Sequence, residues 1–196
     1  MARELEDEIM LNFNYTAYYS LKEDMEKVNE LYIDAFPIEE RCPLSILLKH
    51  TRNKRGEFLA IYHHNKFIGL IYNIVYKDIV YIYYLAIEEK FRHQGYGTKV
   101  LNDIKEMYKN KRIILMAETL DQKADNYQER VNRNNFYHKN GFVYQGYTVM
   151  EFGVVYDMLG YSKNVVSKQE FKQLIKHYFG LISYLFIYKR NKIENM

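Results

Sequence analysis

The chain has 196 residues, of which 48% are hydrophobic and 27% are charged, a composition typical of a globular protein with a buried core. Its net charge of +3 comes from 28 basic and 25 acidic residues, and no dense basic stripe is present, which argues against a nucleic-acid-binding protein. Because Cys42 is the single cysteine, an internal disulfide and a cysteine metal cluster are excluded.

Neither end of the chain carries the pattern of a secreted or membrane-spanning protein. Met1 to Glu8 is acidic and lacks the apolar stretch of a signal peptide. The longest C-terminal apolar run, Leu181 to Tyr188, is far shorter than the roughly 20 residues that a membrane span needs. We therefore expect a cytoplasmic protein without a membrane span.

The first elements are a strand and two helices. Alternating apolar residues predict a strand over Asn14 to Leu21. Ser20 and Glu23 match a capping-box pattern, which predicts a helix that ends at the residue before Pro37. A second short helix is predicted over Leu44 to Arg52.

Three strands joined by tight turns follow. They are predicted over Glu57 to His63, Lys66 to Tyr76 and Ile79 to Ile87. The joints His64-Asn65 and Lys77-Asp78 are short and polar, as antiparallel hairpins require.

Helices and strands alternate in the second half of the chain. Apolar residues at helical spacing predict a helix over Thr98 to Tyr108. The remaining predictions are a strand over Arg112 to Ala117, a helix over Asn132 to Lys139 that stops at Gly141, strands over Phe142 to Phe152 and Val154 to Leu159, and a helix between the Ser167/Glu170 capping box and Gly180.

This order of elements predicts an α/β fold in which helices pack on a mixed β-sheet of six to seven strands. Early hairpins precede a single β-loop-α-β crossover. We expect one domain over residues 1–196, with its core over residues 14–159 and a C-terminal helix and apolar tail over residues 160–196.

A loop with two glycines separates the strand that ends at Ile87 from the helix that begins at Thr98. Its sequence is Phe91-Arg92-His93-Gln94-Gly95-Tyr96-Gly97. Glycine lets the backbone approach a ligand closely, and the unpaired N–H groups of a first helical turn point at an anion. Arg92 adds a permanent positive charge that suits phosphate. The loop predicts a phosphate site, although an ordinary glycine-capped turn is the alternative reading of the two glycines alone.

Three stretches of the chain together resemble the GNAT-type N-acetyltransferases. Arg92 to Gly97 is similar to the family's R/Q-x-x-G-x-G/A pyrophosphate loop, and Asn135 to Phe142 is similar to its FY-x-K-x-G-F segment. Phe36 to Arg41 resembles an FP-x-x-E-R stretch of one bacterial branch. The resemblance extends from about Asn14 to Leu159, which is most of the chain.

The resemblance implies direct transfer of an acetyl group from acetyl-coenzyme A, the expected co-substrate, to an amine. It places the pyrophosphate on the glycine loop and the pantetheine arm beside the splayed end of the central strand, which the family usually opens with a bulge. A backbone N–H freed near Ala86 can also stabilise the oxyanion. The residues implied to bind the coenzyme are Leu85, Ala86, Ile87, Arg92, His93, Gln94, Gly95, Tyr96, Gly97 and Thr98.

Tyr137 matches the family's tyrosine at the thioester sulfur, which implies a catalytic role. A phenol of pKa about 10 can donate a hydrogen bond or a proton to the leaving thiolate, whose conjugate acid has a pKa of about 8.5. An amine of pKa about 10.4 must lose a proton before it attacks, and a carboxylate can take that proton directly or through water. The candidate bases are Glu118, at the end of a predicted strand, and Glu40, in the turn between the first two helices. The branch tends to carry a second glutamate where Met116 stands, so the base and the substrate class stay open.

No metal site is expected, because the histidines lack ligand spacing and the adjacent His63 and His64 would point to opposite faces of a strand. The acceptor stays open between a small-molecule amine, a peptide N-terminus and a protein lysine. Two other functions also stay open: a coenzyme-A-binding sensor or scaffold without turnover, and an interaction module that uses the apolar tail Leu181 to Tyr188. The same tail is a candidate contact of a homodimer.

Overall fold

The computed structural model describes residues 12–21, 24–38, 40–151, 153–161 and 165–180. Among these residues, no helix has both the length and the apolar character needed to cross a membrane. Short 3-10 turns lie at Tyr18–Ser20 and Glu89–Phe91. The other elements are β1 (Asn14–Ala17), α1 (Met25–Ala35), α2 (Leu44–Arg52), β2 (Gly56–His63), β3 (Lys66–Tyr76), β4 (Ile79–Ile87), α3 (Tyr96–Met107), β5 (Arg112–Glu118), α4 (Tyr127–Lys139), β6 (Phe142–Glu151), β7 (Val154–Tyr161) and α5 (Lys168–Phe179).

The strands form one seven-stranded sheet in the order β1-β2-β3-β4-β5-β7-β6. Within this sheet β4 and β5 are parallel, and the other neighbouring strands are antiparallel. The parallel pair is connected through α3, as a crossover between parallel strands requires. The predicted α/β class with a mixed sheet of six to seven strands is therefore confirmed.

Several boundaries differ from the predictions. β1 ends at Ala17 and passes into a 3-10 turn, where a strand to Leu21 was predicted. α4 begins at Tyr127 rather than at Asn132, because the polar first turns of this helix lack the apolar spacing from which a helix is recognised. The Ser20/Glu23 capping box lies partly outside the described residues, and the apolar tail Leu181 to Tyr188 lies wholly outside them. The single domain over residues 1–196 stays a prediction.

The sheet separates two apolar cores. On one face, α1, α2 and α5 pack through residues such as Val28, Leu47 and Phe171. On the other face, α3 packs through Val100 and its neighbours, and Phe136 of α4 packs against the same core. Because side chains alternate between the faces of a strand, the central strand β4 contributes to both cores.

Helix α3, which follows the glycine loop, is fixed to the start of the described chain by a buried carboxylate. Asp103 is only 2% exposed. It accepts hydrogen bonds from the backbone N–H groups of Asn12 and Phe13, at 2.8 and 3.1 Å, and from the Tyr15 hydroxyl at 2.9 Å. These contacts hold α3 against the edge of the sheet and so position the loop before it.

Candidate active site

A cleft opens where β4 and β5 separate near the middle of the sheet. The two strands pair from Ile79 with Arg112 to Ile82 with Leu115, and the ladder between them ends there. The cleft has a volume of about 800 Å³ and is bordered by the ends of both strands, the loop between α1 and α2, and α4. The carboxyl ends of strands in an open sheet are where such folds commonly bind ligands.

A β-bulge in β4 shapes one wall of this cleft. The register between β3 and β4 passes from Tyr72 opposite Tyr84 to Asn73 opposite Ile82, so Tyr83 is the additional residue. A bulge places two residues of one strand opposite one residue of its neighbour. As a result, the adjacent side chains of Tyr83 and Tyr84 both pack toward the core of α1, α2 and α5, with ring centroids 4.4 Å apart.

The strand segment that the resemblance assigned to the pantetheine arm lies directly beyond the bulge. Leu85, Ala86 and Ile87 all line the cleft. They remain paired with β3 on one side, from Leu85 opposite Ile71 to Ile87 opposite Gly69. On the side that faces β5 the parallel ladder has already ended, so that edge of the strand borders the cleft.

The glycine loop passes into α3 through a left-handed residue. Gly95 has φ of 79° and occupies the N-cap position. A β-carbon built at Gly95 would meet no atom within 4 Å, so the space before the helix is open, whereas one built at Gly97 would lie 3.1 Å from the Phe136 ring. Gly95 therefore provides the turn and the open approach, and Gly97 provides the close packing of α3 on α4.

The polar side chains of this loop differ in their surroundings. Arg92 lines the cleft and donates a hydrogen bond from Nε to the carbonyl oxygen of Ile87 at 3.0 Å. Gln94 donates to the carbonyl oxygen of Lys90 at 2.7 Å, and His93 and Thr98 are exposed. The Tyr96 ring instead stacks on Phe13 with centroids 5.6 Å apart, so its side chain supports the fold.

Tyr137 lies in the cleft on the helix that faces the glycine loop. Its ring packs against Phe136 and Phe142, with centroids 5.3 and 6.0 Å away. Its hydroxyl makes no hydrogen bond with any residue that the structure describes. Burial raises the pKa of this phenol, an effect that the nearby charge of Arg133 partly opposes, so the hydroxyl remains a proton donor at neutral pH.

Glu118 lines the same cleft, and both of its carboxylate oxygens contact residues at the start of and within α4. The residue is 2% exposed, and its two carboxylate oxygens contact Arg130 at 3.0 Å and Arg133 at 2.5 Å. Asn126 donates a further hydrogen bond to this carboxylate at 3.2 Å. We call Glu118, Asn126, Arg130 and Arg133 the Glu118 corner. Its carboxylate is neutralised by two guanidinium groups and fastens the helix that carries Tyr137 to the end of β5.

A second acidic region lies across the cleft, and no local motif marks its central residue. Burial and the neighbouring charge of Glu40 raise the pKa of Glu151, at the end of β6, to about 7. Burial and the charge of Glu118 raise the pKa of Glu40, which also bonds with the Tyr156 side chain. Tyr81 lies beside Glu151 and Tyr156. We call Glu40, Tyr81, Glu151 and Tyr156 the Glu151 corner.

The bulge also positions Glu40. The hydroxyl of Tyr84 donates to the carbonyl oxygen of Glu40 at 2.9 Å and accepts from the backbone N–H of Cys42 at 2.8 Å. Tyr32 donates to the carbonyl oxygen of Cys42 at 2.7 Å. These bonds attach the loop between α1 and α2 to the central strand, beside the cleft.

The structure thus brings Tyr137, Glu118 and Glu40 to one cleft with Leu85, Ala86, Ile87 and Arg92. Sequence reasoning missed Glu151, Tyr156 and Tyr81. Glu151 on β6 and Tyr156 on β7 reach the cleft because of the strand order β5-β7-β6, and Tyr81 lies on β4 where that strand pairs with β5. Met116, two residues before Glu118, also lines the cleft, so no carboxylate stands at the position where the bacterial branch tends to carry one.

The prediction that His63 and His64 point to opposite faces is wrong. Their ring centroids lie 4.1 Å apart, because His64 is not in the strand but in the hairpin turn, with φ of 48°. Within the described ranges, no group of three or more histidine, cysteine, aspartate or glutamate side chains is arranged to hold a metal ion.

The chain matches the model of the acetyltransferase (GNAT) family over residues 25–142, which is more than half of its length. This match includes the glycine loop, the separated ends of β4 and β5, and Tyr137. No curated protein sequence matches the chain.

Solved structures share the fold at low sequence identity. A GNAT-family acetyltransferase structure from Bacteroides thetaiotaomicron is 20% identical, covers 87% of this chain and 98% of its own, and has a TM-score of 0.63. A spermidine N-acetyltransferase SpeG chimera from Vibrio cholerae and hSSAT is 16% identical, with coverages of 76% and 95% and a TM-score of 0.59. Arabidopsis thaliana Naa50, in complex with the bisubstrate analogue CoA-Ac-MVNAL, is 17% identical, with coverages of 78% and 99% and a TM-score of 0.57.

Proposed function

The chain belongs to the GNAT acetyltransferase family, and from this premise we propose that it transfers an acetyl group from acetyl-coenzyme A to a primary amine by direct attack in a ternary complex. The observation that supports this most is the cleft at the separated ends of β4 and β5. It takes residues from both faces of the sheet, such as Leu115 on one side and Met116 on the other. A coenzyme and an acceptor can therefore approach one point from opposite faces, as direct transfer requires.

The coenzyme half of this proposal rests on the glycine loop. Acetyl-coenzyme A would supply the acetyl group as an activated thioester. The open space before Gly95 leaves room for its pyrophosphate at the backbone N–H groups of Gln94 to Thr98, and the exposed guanidinium of Arg92 adds positive charge there. The edge of β4 that faces the cleft beyond Ile82 has no partner strand among the described residues. Apart from the Ile87 carbonyl oxygen, which accepts from Arg92, its backbone groups can pair with the pantetheine amides.

The groups beside the thioester have complementary tasks. A backbone N–H at the end of β4, near Ala86, stabilises the negative charge that develops on the carbonyl oxygen. Tyr137 donates its free hydroxyl to the sulfur as the carbon–sulfur bond breaks. Because the pKa of this phenol is raised, it holds its proton until the thiolate forms.

We assign the general base to Glu151 rather than to Glu118. Both oxygens of Glu118 already contact guanidinium groups, so neither is free to contact an amine. A carboxylate whose pKa is about 7 is half protonated at neutral pH and suits proton transfer there. Glu40, the other sequence candidate, acts on Glu151 through its charge and bonds with Tyr156. In this assignment Glu118 positions α4 and Tyr137.

The similar structures support the two substrate classes. One is described as a spermidine N-acetyltransferase chimera and another as a complex with a bisubstrate analogue that contains CoA. These descriptions support acetyl-coenzyme A as the co-substrate and an amine as the acceptor of the present chain.

The first test is a thermal melt of ligand-free protein with and without acetyl-coenzyme A. A ligand at 100 times its dissociation constant adds about 2.7 kcal/mol to the free energy of unfolding, so the midpoint should rise by several degrees. ATP should not reproduce the rise. An amine-dependent release of free thiol should follow in the same preparation. No rise at millimolar acetyl-coenzyme A would refute the proposal, and a rise without turnover of any amine would favour a coenzyme sensor.

A pair of glycine variants locates the coenzyme. Gly95 and Gly146 both have positive φ, 79° and 84°, and a β-carbon at either position meets no atom within 4 Å. Alanine should therefore strain both sites alike, by about 1–2 kcal/mol. We expect Gly95→Ala to weaken coenzyme binding and Gly146→Ala to leave it unchanged. Equal affinities in the two variants would show that the loop does not hold the coenzyme.

A further inference from the structure

The Glu151 corner carries negative charge that no ion pair within the described residues balances. No salt bridge in the described part of the chain joins Glu40 or Glu151 to a lysine or arginine. The charges of Arg130 and Arg133 partly oppose the rise in the pKa of Glu40. Both guanidinium groups are, however, in contact with Glu118. Two neighbouring carboxylates in a cleft therefore face its interior without a cation of their own, which favours a positively charged ligand.

A hydroxyl in the same corner faces the cleft without a partner. Tyr81 as a whole is 1% exposed and lines the cleft, and its hydroxyl makes no hydrogen bond with any of the residues that the structure describes. The fully buried polar atoms without a partner do not include this hydroxyl, so it is open to a ligand in the cleft. This hydroxyl lies beside Glu151 and Tyr156, so a ligand that donates hydrogen bonds to Glu151 is within the reach of Tyr81 as well.

The wall next to these groups is aromatic. Phe36 packs on Tyr84 with ring centroids 4.7 Å apart, and Tyr83 packs on Tyr84 at 4.4 Å. All three side chains line the cleft, and the bulge in β4 is the reason that two consecutive tyrosines face it. Aromatic faces attract cations and also accommodate methylene chains.

Given the acetyl transfer proposed above, we infer that the acceptor is an aliphatic amine that carries positive charge and no carboxylate. Glu40 and Glu151 bind its ammonium groups, and the aromatic wall of Phe36, Tyr83 and Tyr84 contacts its methylene chain. An aliphatic diamine matches the two carboxyl groups best, because each of its two ammonium groups can pair with one of them.

The reacting ammonium gives one proton to Glu151, and its nitrogen forms the bond to the acetyl carbon. The carbon–sulfur bond breaks as Tyr137 protonates the leaving thiolate, and the second proton of the nitrogen restores the Tyr137 phenol through solvent. The other ammonium stays with Glu40.

A competing arrangement uses Arg41, which lines the cleft and whose buried Nε makes no hydrogen bond with the described residues. Among the described residues, Arg41 forms no salt bridge with Glu40 or Glu151. An amino acid that binds Arg41 through its carboxylate would bring a further anion into the cleft beside Glu40 and Glu151. The two arrangements are therefore separable by experiment.

Three amines provide the test: 1,4-diaminobutane, 1-aminopentane and 5-aminopentanoate. Each has a primary amino group on the same unbranched butylene chain, and they differ only in a remote ammonium, methyl or carboxylate group. With saturating acetyl-coenzyme A, kcat/KM from thiol release should rank the diamine first. Like charges in contact are strongly unfavourable, so kcat/KM for 5-aminopentanoate should be about a hundredfold lower than kcat/KM for the diamine.

Two variants test whether the Glu151 corner causes the preference for the diamine. Glu40→Gln should reduce the ratio of kcat/KM for the diamine to that for 1-aminopentane by about tenfold, since one opposite charge is lost. A change in this ratio reports selectivity, which a general loss of structure does not alter. Glu129→Gln is the matched control, because Glu129 is another cleft carboxylate outside the corner, and it should preserve the ratio.

The outcomes separate the two proposals. A kcat/KM for 5-aminopentanoate equal to or above that of the diamine would overturn the inference, and loss of that activity in Arg41→Gln would assign the carboxylate to Arg41. Turnover of none of the three amines, by protein that acetyl-coenzyme A still stabilises, would also overturn it. Absence of coenzyme binding would instead refute the proposed acetyl transfer itself.

Discussion

The Glu118 corner and the Glu151 corner share one cleft, but their carboxylates have opposite surroundings. Glu118 lies between Arg130 and Arg133, with each oxygen in contact with a guanidinium. Glu151 has a carboxylate neighbour, Glu40, and burial and this neighbour together raise its pKa to about 7. A carboxylate in this cleft can therefore have a structural or a reactive role, and the charges packed around it decide which.

The difference extends to the elements that each corner holds. In addition to its ion pairs, the Glu118 corner includes a hydrogen bond from Arg130 to the carbonyl oxygen of Thr119 at 3.1 Å, and Asn134 donates to the carbonyl oxygen of Glu118 at the same distance. The end of β5 and α4 are thus joined by several bonds. The Glu151 corner joins β6, β7 and the α1–α2 loop with fewer bonds and more uncompensated charge. We interpret the first corner as structural and the second as reactive.

Loss of the proposed base should have the largest effect. Glu151→Gln retains size and hydrogen bonding but cannot accept a proton, so kcat should fall by about 10²–10⁴-fold. Steady-state thiol release measures kcat, and a thermal melt with acetyl-coenzyme A should show unchanged coenzyme binding. Glu129→Gln is the control for another cleft carboxylate. If Glu151→Gln keeps nearly the activity of the unmodified protein, Glu151 is not the base, and the proposed difference between the two corners is wrong.

Loss of the structural carboxylate should come next. Glu118→Ala leaves Arg130 and Arg133 without their partner beside a buried site, which should lower the free energy of unfolding by about 3 kcal/mol. Urea denaturation measures this quantity. Glu151→Gln in the same assay should lower stability little or raise it, because it removes a negative charge next to Glu40. Equal destabilisation by both variants would contradict the division into structural and reactive corners.

The pH dependence of stability should reveal the raised pKa of Glu151. Between its ordinary value near 4.5 and about 7, the folded protein retains a proton that the unfolded chain has lost. The free energy of unfolding should therefore decrease as pH rises through this window, by about 1–3 kcal/mol from this group. Urea titrations at several pH values should show a smaller decrease in Glu151→Gln than in the unmodified protein. An identical pH dependence in both would show that Glu151 titrates at its ordinary pKa.

The smallest effect is expected for Tyr137, which α4 carries beside the Glu118 corner. Removal of one hydrogen bond to the leaving thiolate should reduce kcat in Tyr137→Phe by about tenfold, or about 1.4 kcal/mol. Stability should be unchanged, since the hydroxyl has no partner among the described residues. If Glu118 acts by positioning α4, a stable Glu118→Gln protein should show a similar loss of kcat, and Tyr137→Phe should add little to it. Additive losses would mean that the two residues act independently.

Local patterns were sufficient for much of the fold. The bounds of α2, β3 and β4 match their predictions, because these elements have regular apolar spacing and clear turns at their ends. The capping box at Ser167 and Glu170 is present with both of its hydrogen bonds. The polar start of α4 was not recognisable, since the tertiary contacts of Arg130 and Asn134 hold this helix and its own sequence spacing does not show them.

The sequence by itself determined the order of the elements, the mixed α/β sheet and the loop before α3, since each follows from spacing and from residues close in the chain. Only the tertiary structure decided which carboxylate is neutralised and which is not. Glu118 meets arginines from α4, whereas Glu151 meets Glu40 from a loop more than a hundred residues earlier in the chain. The pKa of a carboxylate depends on burial and on charges within a few ångströms, and both are properties of packing.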